Sequence, residues 1–113
     1  MTENNKNLIT INDFSKIRIR IGKIIEVDII PHSDKLYKLI IDIKKRKIQC
    51  VAGLRDYYTI DELKNKLVPI ITNLKPAKLR GVKSEGMILA AEYKNNVKIL
   101  VPESDIEIGA IIS

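Results

Sequence analysis

Between Asn73 and Lys83 the chain carries Lys75, Lys78, Arg80 and Lys83 with no acidic residue among them, and Pro76 and Gly81 bracket the run. Proline and glycine favour a loop over a helix, so the stretch Leu74 to Glu85 is expected to be a constrained basic loop. Cations gathered on one loop suit a phosphate backbone, because each neutralised phosphate releases condensed counterion and several contacts add. A solvated lysine-rich surface has the same composition, and charge alone leaves both readings open. The run Lys44-Lys45-Arg46-Lys47 reads as a hairpin tip charged for solubility. Lys35 and Tyr37 stand two residues apart, and the ring could stack on a base as in single-strand binders or pack in the core.

Other chemistry is poorly supplied. His32 and Cys50 are the single histidine and the single cysteine. An intrachain disulfide needs two cysteines and a structural zinc site normally needs four ligands, so neither is expected. Cys50 alternates with Ile48 and Ala52 and reads as a small buried hydrophobe. Asp34 and Glu85 form no obvious acid/base pair, Tyr57-Tyr58 lead into a helix cap, and neither Gly22 nor Gly53 belongs to a phosphate-loop or dinucleotide pattern. With no catalytic constellation and no cofactor or metal implied, the sequence reads as that of a binder and not an enzyme.

The elements that must position these residues follow from composition and pattern. The protein has 113 residues, twenty Lys/Arg against fourteen Asp/Glu, and a formal charge of +6. A chain this short buries roughly two-thirds of its unfolded surface, enough for one core, which excludes a two-domain reading. Aromatics are 4% with no Trp, so the core must be aliphatic, and its many isoleucines favour strands. No apolar run reaches the roughly 18 to 20 residues of a membrane-spanning helix, and Met1 to Asn7 is polar where a signal peptide is apolar, so a cytoplasmic protein without a membrane partner is expected.

Residues 1–8 read as a flexible tail. Thr10 to Asp13 is a capping pattern for one helical turn, with Phe14 as its anchor. From Lys16 the sequence alternates, with Ile17, Ile19 and Ile21 on one face, until Gly22 interrupts it, so a long strand to Ile30 with a glycine bulge or bend is expected. Leu36 to Ile43 and Ile48 to Ala52 complete three antiparallel strands. Thr59 to Glu62 is a second capping box, opening a short helix to Lys66. Leu67 to Asn73 reads as a strand in which Pro69 marks an unpaired position or an edge. Met87 to Tyr93, Val97 to Val101 and Ile106 to Ile112 are further extended segments. Five strands with a short helix between the third and fourth is the order of an all-β OB-fold, a five-stranded Greek-key barrel. The apolar C-terminal surplus must be covered, and a second subunit is one place for it.

One resemblance is specific. Asn73-Leu74-Lys75-Pro76, Lys78-Leu79-Arg80-Gly81 and Ser84-Glu85-Gly86-Met87 closing on Leu89-Ala90-Ala91 resemble the tRNA-binding domain of methionyl-tRNA synthetases, stand-alone structure-specific tRNA-binding proteins and related synthetase cofactors. Asp13-Phe14 with Lys16, Arg20 to Ile24, Ser33 to Tyr37, and Val51 to Leu54 agree, from about residue 13 to the C-terminus. Ala52 stands where the family usually has Ser, and Asn65 where a Gly commonly precedes the lysine matched by Lys66.

The resemblance implies a single tRNA-binding domain over residues 9–113, gripping tRNA by shape at the outer corner of the L. It implies Ser84 and Met87 as RNA-facing residues with Asn73, Lys75, Lys78 and Arg80 beside them, while Lys35 and Tyr37 complete the expected set. Met87 keeps the alternative of barrel packing. The implied partners are tRNA, a second copy through the C-terminal extension, and the catalytic chain of methionyl-tRNA synthetase. The alternatives to a non-catalytic synthetase subunit are a stand-alone structure-specific tRNA-binding protein and a peptide-binding chaperone of the secretion-associated branch of the fold, which lacks the complete Lys-Leu-Arg-Gly to Ser-Glu-Gly-Met run.

Overall fold

Two reciprocal caps fix where the helices start. The computed structural model describes residues 7–113, so most of the expected tail lies outside the described residues. Thr10 caps α1 (Ile11–Ser15): its hydroxyl accepts from the Asp13 N–H at 3.0 Å, and the Asp13 carboxylate accepts from the Thr10 N–H at 3.1 Å. Thr59 and Glu62 repeat the device at α2 (Ile60–Leu63). That helix stops at Leu63, short of the expected Lys66, because Lys64 is extended and Asn65 sits at φ 70°. Asn65 N–H then donates to the Ile24 carbonyl at 2.7 Å, which returns the chain to strand pairing.

β1 (Ile19–Ile29) pairs antiparallel with β2 (Tyr37–Asp42), and β2 with β3 (Lys47–Ala52), as the alternation required. The expected bulge at Gly22 is corrected. The register shift falls between Ile24 and Glu26, so Ile25 is the extra residue and both Ile24 and Val27 reach the core. Gly22 serves close approach instead: a Cβ there would lie 2.4 Å from Ile41 Cγ2. A lone glycine in a strand signals either device, and sequence does not separate them.

β4 (Leu67–Ile71) lies on the other edge of β1, with Pro69 opposite Ile21. Pro69 accepts from the Leu89 N–H, and the Leu89 carbonyl is taken by the Leu100 N–H, so the missing proline donor leaves no acceptor stranded there. Beyond β4 come the hairpin β5 (Ala77–Leu79) and β6 (Val82–Ser84), the short β7 (Met87–Ile88), and the hairpin β8 (Ala90–Tyr93) and β9 (Asn96–Ile99). The expected continuous strand Met87 to Tyr93 is thus broken at Leu89, where pairing passes from β4 to the C-terminal hairpin. Of the expected Ile106 to Ile112 segment, only β10 (Ile111–Ile112) is strand, paired with the part of β1 that β2 does not cover.

The sheet order β3-β2-β1-β4-β7 wraps an aliphatic core of Ile24, Leu39, Ile41, Ile48, Leu63, Val68 and Ile70. The molecule is an all-β, OB-like five-stranded barrel, as expected.

Candidate nucleic-acid interface

The basic segment is a hairpin and not the loop read from Pro76 and Gly81. Ala77, Lys78 and Leu79 pair with Ser84, Lys83 and Val82 around a two-residue turn, Arg80-Gly81. Both turn residues have positive φ, 52° and 79°, the primed geometry that matches the twist of adjoining strands. Lys78 is therefore directly opposite Lys83. Like charges facing each other across a strand pair are destabilising, so the hairpin is held against its own charge.

The segment following the hairpin does the holding. The Ser84 hydroxyl accepts from the Val51 N–H at 3.0 Å and donates to the Gly86 carbonyl at 3.3 Å. Glu85 N–H donates to the Gln49 carbonyl at 2.8 Å, and the Gln49 amide donates to the Lys83 carbonyl at 2.9 Å. These bonds satisfy the outer edge of β3 and bring the barrel close to closure. Gly86 is buried so tightly that a Cβ would lie 2.9 Å from the Ile71 carbonyl oxygen. The base of the hairpin is tied by Asn73, whose side chain accepts from the Arg18 N–H at 2.9 Å and donates to the Lys16 carbonyl at 2.7 Å.

The expected site residues thus separate by role. Lys75, Lys78 and Arg80 are exposed and make no ion pair among the described residues, while Lys83 lies 3.8 Å from Glu85. Met87 is 53% exposed, which removes the barrel-packing alternative, and Leu79 of the hairpin is likewise an exposed apolar side chain. Asn73 and Ser84 are hydrogen-bonded within the fold. Tyr37 is 6% exposed, donates its hydroxyl to the Tyr58 carbonyl at 2.8 Å, and has the Arg55 guanidinium over its ring. Of its two expected roles, its position is that of a core residue, because no ring face is open to a base. Lys35 pairs with Asp56 at 2.9 Å, and that hydrogen bond and charge hold its ammonium above the usual lysine range.

Cys50 is buried under the Ser84 clamp, and desolvation pushes its thiol above the ordinary range, the state of a packing residue and not a nucleophile. Among the described residues no cluster of His, Cys, Asp and Glu could hold a metal ion, and no helix is long and apolar enough to cross a membrane.

A small barrel bearing a rigid, acid-free cationic hairpin edged with apolar side chains defines a polyanion-binding module of the nucleic-acid type. Comparison with known proteins makes that class particular. Residues 19–111 match the family model described as "Putative tRNA binding domain", and the chain belongs to that family. It is 45% identical over 108 residues to a methionine–tRNA ligase of Thermotoga maritima, covering 96% of this chain and 17% of that protein. The ligase of Archaeoglobus fulgidus is 48% identical over 104 residues, again matched over only 16% of its length. Among solved structures, a MetRS-related protein from Pyrococcus horikoshii superposes with a TM-score of 0.89 at 30% identity, covering 95% of this chain and 99% of that one. The CsaA chaperone protein of Picrophilus torridus gives 0.85 at 36% identity, covering 94% and 100%. The chain therefore spans about a sixth of the curated ligases it matches and nearly the whole of the small solved proteins.

Proposed function

We propose that this chain is a non-catalytic tRNA-binding subunit that works as a homodimer in the cytoplasm, holding tRNA for a catalytic methionyl-tRNA synthetase chain. The observation that carries this reading is the clamped hairpin and the segment leading into it, with three cations, Lys75, Lys78 and Arg80, that make no ion pair among the described residues. Its shape and charge suit phosphates at fixed spacing, and it has few groups to read bases, so affinity is expected to be similar across tRNAs. Holding tRNA near a separate active site raises its effective concentration there. The homology to part of the ligases supports the choice of synthetase.

Titration of total tRNA across a salt series tests the reading. With about five phosphate contacts, log affinity falls against log salt with a slope of roughly −3.5 to −4.5. Replacing Lys75, Lys78 and Arg80 together by Gln weakens all tRNAs alike. A flat salt response, or no binding at low salt, overturns the proposal.

The likeness to the CsaA chaperone favours a second reading, a chaperone for unfolded peptide. Capture of unfolded peptide with no affinity for tRNA would put that reading first.

A further inference from the structure

A second group of cations lies where the β2–β3 turn meets the C-terminal segment. A cleft there is walled by Arg18, Arg20, Lys44, Lys45 and Arg46, and its acidic lining is Glu107 alone, 3.6 Å from Lys44. This is the run read from sequence as a tip charged for solubility, and its geometry argues otherwise. A tip charged only for solubility requires no fixed geometry, whereas two cations of the cleft, Arg46 of this run and Arg20 of β1, are held in place. Arg46 Nη2 donates to the Thr72 carbonyl at 2.9 Å, and Arg20 Nη1 to the Gly109 carbonyl at 3.1 Å. Each of those bonds uses one of five guanidinium donors and leaves the rest for a ligand, in a fork that fits phosphate.

The cleft adjoins the segment that leads into the hairpin, through Thr72 in its lining. Thr72, which receives Arg46, is followed by Asn73, which binds the backbone of Arg18 and opens the segment leading to Lys75. Hydrogen bonds from Arg46 to Thr72 and from the Arg18 N–H to Asn73 thus join the cleft to the start of the segment that carries Lys75. We propose that this cleft is a second anchorage for the phosphodiester backbone of the bound RNA, continuous with the hairpin through Thr72 and Asn73. The inference rests on the tRNA-binding reading and extends its footprint to Arg18, Lys45 and Arg46.

The double variant Arg18→Gln/Lys45→Gln tests it, because neither side chain makes a hydrogen bond or ion pair among the described residues. Loss of two phosphate contacts makes the salt slope shallower by about 1.5 and weakens tRNA roughly 10- to 100-fold at about 50 mM salt. In the unmodified protein, acetylation of Lys45 with a soluble amine reagent slows when tRNA is bound. If the unmodified protein binds tRNA while the double variant keeps its affinity and slope, and Lys45 reacts equally with and without tRNA, the cleft proposal falls and the hairpin reading stands. Failure of the unmodified protein to bind tRNA overturns both. Binding of a glutamate-rich peptide abolished by the double variant, with tRNA affinity untouched, assigns the cleft to protein and overturns its role with RNA.

Discussion

Ser84 has its hydroxyl engaged on both sides, accepting from Val51 and donating to Gly86. A residue that the resemblance implies for RNA contact is thereby first a fastener between the hairpin and the barrel. Removing it strands the Val51 N–H on a half-covered strand edge, and leaving such a donor without a partner costs about 1–3 kcal/mol. Ser84→Ala is therefore expected to lower the unfolding free energy from urea denaturation by that amount, while the salt slope of tRNA binding stays unchanged because no charge is removed. A variant of native stability whose tRNA affinity collapses would instead make the hydroxyl a direct ligand. Residue types were legible in the sequence where burial follows from pattern: Cys50, between Ile48 and Ala52, had to face inward. Tyr37 was not, because an amphipathic ring at the end of a strand packs or stacks equally well, and only its bond to Tyr58 and the Arg55 above it decide.

At the scale of elements, the hairpin is the place where local preference and charge conflict. Arg80 occupies φ 52°, a conformation for which Asn and Gly are the usual choices, and Lys78 faces Lys83. A sequence under no pressure but stability would relieve both. Arg80→Asn keeps the primed turn, removes a strained cation and is expected to raise stability by roughly 0.5–1 kcal/mol while reducing the tRNA salt slope by about one contact. Thermal unfolding and binding measured on the same preparation check it, and a variant that gains stability without losing affinity would show that Arg80 does not contact RNA. Pro76 and Gly81 hid this hairpin in the sequence. They suggest a loop, and the pairing residues are short and alternate with lysine, so the strand pattern is weak. The two capping boxes were visible because a Thr and an acidic residue three positions apart are sufficient to make the bonds. The bulge was misplaced because Ile24-Ile25 are both apolar, so the extra residue leaves no break in polarity.

For the molecule as a whole, the question is what covers the apolar surface that the barrel leaves. Ile11 is 84% exposed and Ile111 70%, and with Phe14 and Ile17 they line a groove between α1 and β10. β10 also forms the sheet edge beside β1, with no further strand beyond it among the described residues. The sequence carried the signal of this surface in its apolar C-terminus, yet not its location, because Val97 and Ile99 turn inward to the core while Ile111 stays out. Exposed isoleucines at an open strand edge favour association, each contributing about 1.5–3 kcal/mol when buried. If the proposed homodimer forms, this groove is where two copies would meet, and each copy would bring one cationic hairpin. Two hairpins on one tRNA would bind with an effective concentration in the millimolar range, so the proposed dimer would couple assembly to affinity. Light scattering of the unmodified protein is expected to give twice 12.9 kDa. Ile111→Lys should give the monomer mass, with unchanged circular dichroism and a tRNA affinity lower by roughly 10- to 100-fold. A monomeric unmodified protein would remove the dimer, and an Ile111→Lys monomer binding as tightly as the parent would mean that each hairpin acts alone.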